Sequence, residues 1–391
     1  MELLCCAGST SIITIKKVCK KVGIRLHRCP TTEEACQLVS ENSNKWIGIV
    51  TALGQDEDTE CWKLLKFVRQ LFPSIYIIVY SYTAQCGDDL AIRLECFKSG
   101  AKMVTYYESA LDIILRNLIV EMNTMGALTC PYCQKKKLSE DTLHLHLELY
   151  HTYESNIDLP CPICGLRRAS NRGGLAVHYH NSHGPLERRE KEKYIPSCLT
   201  AFALVVCQRK SDGKFLLIQE PLGIGGGYWV PAGRVDPGET LTTGGVRETL
   251  EEAGIHIEIK SVLKVILSDA LRIIYLAYPV DGTDDTPKTV PDFESAGAMW
   301  VSVRNVKEKL TPSLCRSGRA TEPLEWFPKV ADGRRGISIN NAVYAQLEEI
   351  ALEFGQKQCT PCDINEQIIP AVKNINRILN VDNEILSTDE L

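Results

Sequence analysis

Two Cys-x2-Cys pairs, each followed at almost the same distance by two histidines, constrain this chain more than any other feature. Cys130 and Cys133 are followed after twelve residues by His146 and then by His151. Cys161 and Cys164 are followed after thirteen by His178 and then by His183. Two thiolates on a short turn and two imidazoles about one helical turn apart can converge tetrahedrally on Zn2+. Leu143 and Leu175, each three residues before the first ligand histidine, suit the small core under a helix held in this way. Two matches in tandem predict two Zn2+ ions. His144 and His180 fall outside the ligand spacing and are expected at the surface.

Both repeats resemble Cys2His2 zinc fingers, and residues 127–185 are read as a tandem of them. Zinc binding is separate from DNA reading. With the first ligand histidine at helix position 7, the base-reading positions −1, 3 and 6 are Ser139, Thr142 and Leu145 in the first finger. In the second they are Asn171, Gly174 and Val177. Leu, Val and Gly form no bidentate contacts to base edges, which argues against sequence-specific DNA binding. Lys135, Lys136, Lys137, Arg167, Arg168 and Arg172 could hold phosphates without sequence preference. RNA, a protein partner or a structural role stay open for the fingers.

Residues 1–126 alternate short apolar runs with amphipathic helical patterns. "ELLCCAG", "IRLHRC", "WIGIVTAL", "IYIIVYSY" and "KMVTYY" read as strands, each followed by a helical segment. Five such units predict a parallel sheet covered on both faces, an α/β flavodoxin-like domain. "FKSGAKMVTYYESALDIIL" resembles a response-regulator receiver domain. That resemblance implies acidic residues after the first strand, an Asp ending the third and a Lys ending the fifth. Those regions here read Ala7-Gly8-Ser9, Thr51-Ala52 and Tyr106-Tyr107. Neither a Mg2+ seat nor a phosphoryl acceptor is present, so the domain is expected to serve interaction or structure. Residues 186–196, "PLERREKEKY" and its flank, read as a helical linker in which Glu187 and Lys191 stand four apart.

The stretch from Gly233 to Ile255, "GRVDPGETLTTGGVRETLEEAGI", places Glu248, Glu251 and Glu252 on one helical face. Like charges at these spacings repel by a few tenths of a kcal/mol, about 0.2–0.5 per pair. Such a cluster implies either a solvated acidic face or a cation among the carboxylates. Gly233, Glu239, Arg247-Glu248, Glu251-Glu252 and Gly254-Ile255 together reproduce the Nudix box, and the chain is similar to the Nudix hydrolase family over residues 197–355. The resemblance implies an α/β/α fold with a mixed sheet and Mg2+ or Mn2+ at the site. Glu248 and Glu252 would be the principal metal ligands, Glu251 would lie beside them, and the Gly233 carbonyl would add a ligand. Arg247 and Glu239 would form a structural pair between loop and helix. Glu294, six residues before Trp300, matches the position of a further carboxylate in MutT-type members, with Asp292 as its rival. Thr249, Gly244 and Gly245 depart from the usual pattern, and an interior glycine costs a helix about 1 kcal/mol relative to alanine.

Within the family, "YWVPAGRVDPGE" and "FESAGAMWV" look most like the animal subgroup acting on oxidised guanine nucleoside diphosphates. This implies a nucleoside diphosphate derivative as substrate and a monophosphate as product. Tyr228, Trp229 or Phe293 could stack on a base, or serve equally as core. The alternative is an RNA- or protein-binding scaffold whose Nudix module holds a nucleotide without turning it over.

The formal net charge of −5 gives no general basic footprint for nucleic acid. No apolar run approaches a membrane span, and "MELLCCAGST" lacks the order of a signal peptide, so an intracellular chain, cytoplasmic or nuclear, is expected. Of the seventeen cysteines, those outside the close pairs are expected as buried free thiols. Cys359 and Cys362 are read as ordinary thiols, and residues 356–391 as a C-terminal tail with a frayed end.

Overall fold

The computed structural model describes residues 1–7, 9–53, 59–80, 89–151, 159–166, 174–184, 199–221, 226–316, 322–355 and 364–379. They fall into two units. The first comprises Met1–Glu192, Glu220–Gly227 and Thr289–Gly297; the second comprises Lys193–Gln219, Tyr228–Lys288 and Ala298–Leu391. The linker residues Glu187 and Lys191, the basic residues Arg167, Arg168 and Arg172, Asn171, and Cys359 and Cys362 lie outside the described residues.

In the first unit the strands β1 (Glu2–Cys6), β2 (Arg25–Arg28), β3 (Trp46–Thr51), β4 (Ile77–Tyr80) and β5 (Met103–Thr105) form one sheet of order β2-β1-β3-β4-β5. Every pairing in it is parallel. Near-continuous apolar strands such as "WIGIVT" and "IIVY" are buried throughout, as a sheet covered on both faces requires. Leu3, Cys5, Val50 and Ile78 pack with α1 (Ser9–Val22) and α5 (Glu108–Asn123). Leu4, Ile49, Ile77 and Val79 pack with α2 (Thr32–Glu41), α3 (Thr59–Leu71) and α4 (Leu90–Ser99). The alternation of Leu3, Leu4 and Cys5 between two cores is the period of two that a strand dictates. Thr51 ends β3 in a buried position, and the Tyr106 and Tyr107 hydroxyls meet at 2.7 Å just after β5.

The Cys/His region continues the same unit, with helices α6 (Glu140–Tyr150) and α7 (Gly174–His183). Ser139 and Thr142 close a reciprocal capping box at the start of α6. Two of the three positions that would face bases in the first finger therefore act in their own helix cap. Leu145 packs on the core of the parallel sheet.

The second unit is built on a mixed five-stranded sheet of order β13-β10-β11-β6-β9, beside a three-stranded one of order β12-β7-β8. The strands are β6 (Ala201–Cys207), β7 (Phe215–Gln219), β8 (Tyr228–Trp229), β9 (Ala232–Arg234), β10 (Ile257–Leu267), β11 (Leu271–Pro279), β12 (Gly297–Val301) and β13 (Ile337–Ser338). β11 and β6 run parallel, whereas β10–β11 and β6–β9 are antiparallel. Helix α8 (Leu241–Ala253) carries the acidic cluster, and α9 (Val303–Lys309), α10 (Glu322–Ala331) and α11 (Ala342–Phe354) follow.

The tail departs from the expectation. Ile369–Leu379 forms a further helix, α12, preceded by a wide turn over Ile364–Ile368. Ile368, Val372, Ile375 and Leu379 recur at helical spacing and are buried, each contributing about 2 kcal/mol. The Asn376 side chain pairs with β10 as a strand would, donating to the Val265 carbonyl at 2.8 Å and accepting from its N–H at 3.3 Å. An apolar stripe is what turns this part of the tail into a domain element.

None of the described cysteines is in a disulfide. Burial pushes Cys5 and Cys29 up to about 12 and Cys19 to about 11, so these thiols are protonated and inert near neutral pH.

Candidate metal centres and active site

Thr240 caps α8 by accepting the Thr243 N–H, and Gly254, at φ 71°, ends it in the left-handed conformation that glycine adopts without penalty. The two interior glycines have a packing reason. A Cβ at Gly245 would stand 2.9 Å from Ile259, and one at Gly244 the same distance from Val235. The helix thus lies closer to sheet and loop than alanine allows, which offsets the propensity cost. Thr249 is fully buried and satisfies its hydroxyl on the Gly245 carbonyl at 2.8 Å. Thr242 is anchored from α11, where Glu348 accepts both its N–H and its hydroxyl.

Arg247 is the hub of the acidic cluster. Its Nε and Nη2 donate to Glu239 at 3.0 and 2.9 Å, Nη2 also donates to the Arg234 carbonyl at 2.8 Å, and Nη1 reaches Glu248 at 2.8 Å and Glu251 at 3.0 Å. Burial works against this guanidinium, but the hydrogen bonds to Glu239 and the charge of Glu248 outweigh it and hold its pKa above the ordinary value. The Glu252 carboxylate is only 6% exposed and accepts the Ala232 N–H at 2.8 Å. Glu248 lies over Gly233, where an added Cβ would overlap the carboxylate itself. Side-chain exposure rises from 12% at Glu248 to 39% at Glu251. Gly233 sits in β9 opposite Ala203. Hard oxygen donors gathered around a glycine, with Arg247 offsetting only part of their charge, suit Mg2+ or Mn2+. This arrangement sets Glu239, Glu248 and Glu251 on one guanidinium, with Glu252 held on the loop beside them.

Other site expectations fare differently. Tyr228 and Trp229 are buried in the second unit, where large rings are needed as core, and offer no face to a base. Asp292 is taken up by its own turn, accepting the N–H groups of Glu294 and Ser295 at 3.0 and 3.1 Å. Glu294 is half-buried and belongs to the first unit, whereas α8 belongs to the second. Phe293, also of the first unit, lies against the rings of His180 and His144, with centroids 4.4 and 5.3 Å away.

The Cys/His side chains converge in two groups, Cys130–Cys133–His146–His151 and Cys161–Cys164–His178–His183. A tetrahedral zinc with ordinary bond lengths would set N···N edges of about 3.3 Å and S···N edges of about 3.6 Å. In the first group the Cys130 sulfur is 3.4 Å from His151 Nε2, Cys133 is 3.3 Å from His146 Nε2, and the two Nε2 atoms are 3.2 Å apart. In the second, Cys164 is 3.3 Å from His178 Nε2. Soft thiolates and imidazoles at these spacings fit Zn2+. Leu143 and Leu175 are buried beneath them.

One participant escaped the motif. Glu121, fully buried on α5, accepts from His146 Nδ1 at 2.6 Å and from Lys135 at 2.7 Å. Burial raises its pKa, yet these two partners bring it below the ordinary carboxylate value. By taking the Nδ1 proton, Glu121 leaves Nε2 as the donor atom toward the metal. Its signal in the sequence is an acidic residue on the apolar stripe of Leu111, Ile114 and Leu118. Glu121→Gln is expected to weaken metal retention by the first group about 10- to 100-fold and leave the second unchanged. Competition with a chromophoric chelator measures this.

Residues 199–316 match the family model described as the NUDIX domain, and residues 126–184 match the zinc-binding Drought induced 19 protein (Di19) family. The chain is therefore similar to Nudix domains over residues 199–316 and, ahead of them, to zinc-binding domains of the Di19 type over residues 126–184. A Caenorhabditis elegans nudix hydrolase 1 is 34% identical over 158 residues, covering 36% of this chain and 43% of that protein. The human 8-oxo-dGDP phosphatase NUDT18 is 42% identical over 99 residues, covering 25% and 30%. The NAD-capped RNA hydrolase NudC of Vibrio cholerae is 30% identical over 150 residues, covering 37% and 50%. The chain spans half or less of the length of these curated relatives. No described helix is long and apolar enough to cross a membrane.

Proposed function

We propose that this chain is a divalent-metal-dependent Nudix hydrolase that cleaves the diphosphate linkage of a nucleoside diphosphate derivative. The observation carrying this reading is Glu248 lying over Gly233 and Glu252 on the neighbouring Ala232 N–H, with Glu251 held beside Glu248 by Arg247, which also ties the helix to Glu239. Mg2+ or Mn2+ held by Glu248 and Glu252 would neutralise the phosphates and polarise phosphorus, the chemistry a polyanionic linkage needs before water attacks it. Glu294, six residues ahead of Trp300, is carried only as the family resemblance offers it, as a candidate supplementary carboxylate.

Oxidised guanine nucleoside diphosphates are the first substrates to test, a choice supported by similarity to a relative named for 8-oxo-dGDP. The products would be a nucleoside monophosphate and phosphate. In this reading the N-terminal domain is receiver-like without phosphotransfer chemistry, and the Cys/His groups are two zinc fingers that engage RNA or a protein. The commitment of Ser139 and Thr142 to the helix cap speaks against base reading by the first finger. An intracellular setting, cytoplasmic or nuclear, belongs to the same proposal.

Turnover by the full chain with Mg2+ or Mn2+ tests it, against ordinary and oxidised nucleoside diphosphates, nucleotide sugars and capped RNA. Metal-dependent release of monophosphate from an oxidised guanine substrate is the expected result. Cleavage of capped RNA alone would redirect the substrate assignment, and no turnover on any member would favour a nucleotide-holding scaffold.

A further inference from the structure

His144 and His180 were expected at the surface, yet only 8% and 7% of their area is exposed. Each stands two positions from a ligand histidine, and two positions are about 200° of helical rotation. They therefore face away from the metal groups of their own fingers and toward each other. His144 Nε2 and His180 Nδ1 are 3.0 Å apart, and the rings stack with centroids at 5.3 Å. Glu148 follows His144 by one turn of α6, its carboxylate 3.9 Å from His144 Nδ1. One donor atom from each of His144, Glu148 and His180 lies within 4.8 Å of the other two. The Phe293 ring covers both imidazoles.

From this geometry we propose a third zinc site, formed by His144, His180 and Glu148, that joins α6 to α7. The 3.0 Å between the two ring nitrogens is near the edge of about 3.3 Å that two imidazoles on one zinc would span. Two imidazoles and a carboxylate suit Zn2+, and one carboxylate offsets half the charge of the dication under an apolar ring. Three protein ligands leave a fourth position for water, so this ion would be held less firmly than those bound by thiolates. A bare hydrogen bond between the histidines is the competing account. In it Glu148 would hold His144 through Nδ1, the ring nitrogen that does not face His180, and no ion would be bound.

Metal content of the full chain decides between them, independently of any hydrolase activity. Zn2+ is titrated in excess Mg2+ on a Glu252→Gln background, which keeps zinc from the Nudix carboxylates. The expected result is three equivalents in this parent and two in His180→Gln and in Glu148→Gln. Co2+ substitution should leave the thiolate charge-transfer bands of the fingers intact in both variants while removing the contribution of the nitrogen–oxygen site. Saturation of the parent at two equivalents would overturn the proposal. So would a third equivalent that persists in both variants.

Discussion

Glu252→Gln is expected to lower kcat roughly 10³-fold or more with little change in unfolding temperature, a loss of about 4 kcal/mol of transition-state stabilisation. The carboxylate is nearly buried and accepts the Ala232 N–H at 2.8 Å. Glutamine can keep that bond through its carbonyl oxygen, so the loop at Gly233 should hold its shape. What the substitution removes is one full negative charge that the proposed divalent cation would need. The measurement is steady-state hydrolysis of the best substrate over a range of Mn2+ concentrations, beside a thermal melt. Equal activity in variant and parent would remove Glu252 from the metal set, whereas a collapse of stability would make its role structural. Arg247 gives this test its meaning. It draws Glu248 and Glu251 together through Nη1, so α8 is organised by protein contacts that Glu252→Gln leaves alone.

Cys130→Ser and Cys161→Ser are each expected to release one zinc, with unequal consequences. Zinc binding in finger peptides is worth about 10–16 kcal/mol, so either loss should unfold its own finger. The first finger is joined to the parallel-sheet domain. Its Leu149 and Tyr150 belong to the same core as Leu3, Tyr76 and Leu118, and Tyr150 meets Tyr76 edge to face at 5.2 Å. Lys102 donates to the Tyr150 carbonyl, and Glu121 on α5 accepts from His146 of the first Cys/His group. Loss of the first zinc should therefore expose part of that core and lower the hydrogen-exchange protection of β4 and β5. Loss of the second should leave β4 and β5 as protected as in the parent. Zinc analysis and hydrogen exchange on both variants check this. An identical exchange pattern in the two would contradict the asymmetry.

Much of this was legible in the chain. The metal-ligand spacings, the five strand–helix units and the Nudix box are local patterns whose chemistry depends on residues a few positions apart. Thiolates on one turn, histidines on one helix and carboxylates at i, i+3 and i+4 need no distant partner to be recognised. The helix over Ile369–Leu379 was equally local, with an apolar stripe at regular spacing, but the acidic, frayed end beyond it drew the segment into a tail.

Other features were decided only when distant segments met. Gly244 and Gly245 looked like defects in a helix until the approach of Val235 and Ile259 showed why a Cβ has no room. Glu121 acquires its partner His146 across twenty-five positions, and no spacing rule connects them. His144 and His180 are polar residues left over from the ligand spacing and so expected in water, yet α6 and α7 meet there and bury both. Local sequence determines which side chains share a turn of helix or one face of a strand. Which buried polar group finds which partner depends on how those faces are brought together, and that is settled by packing between elements.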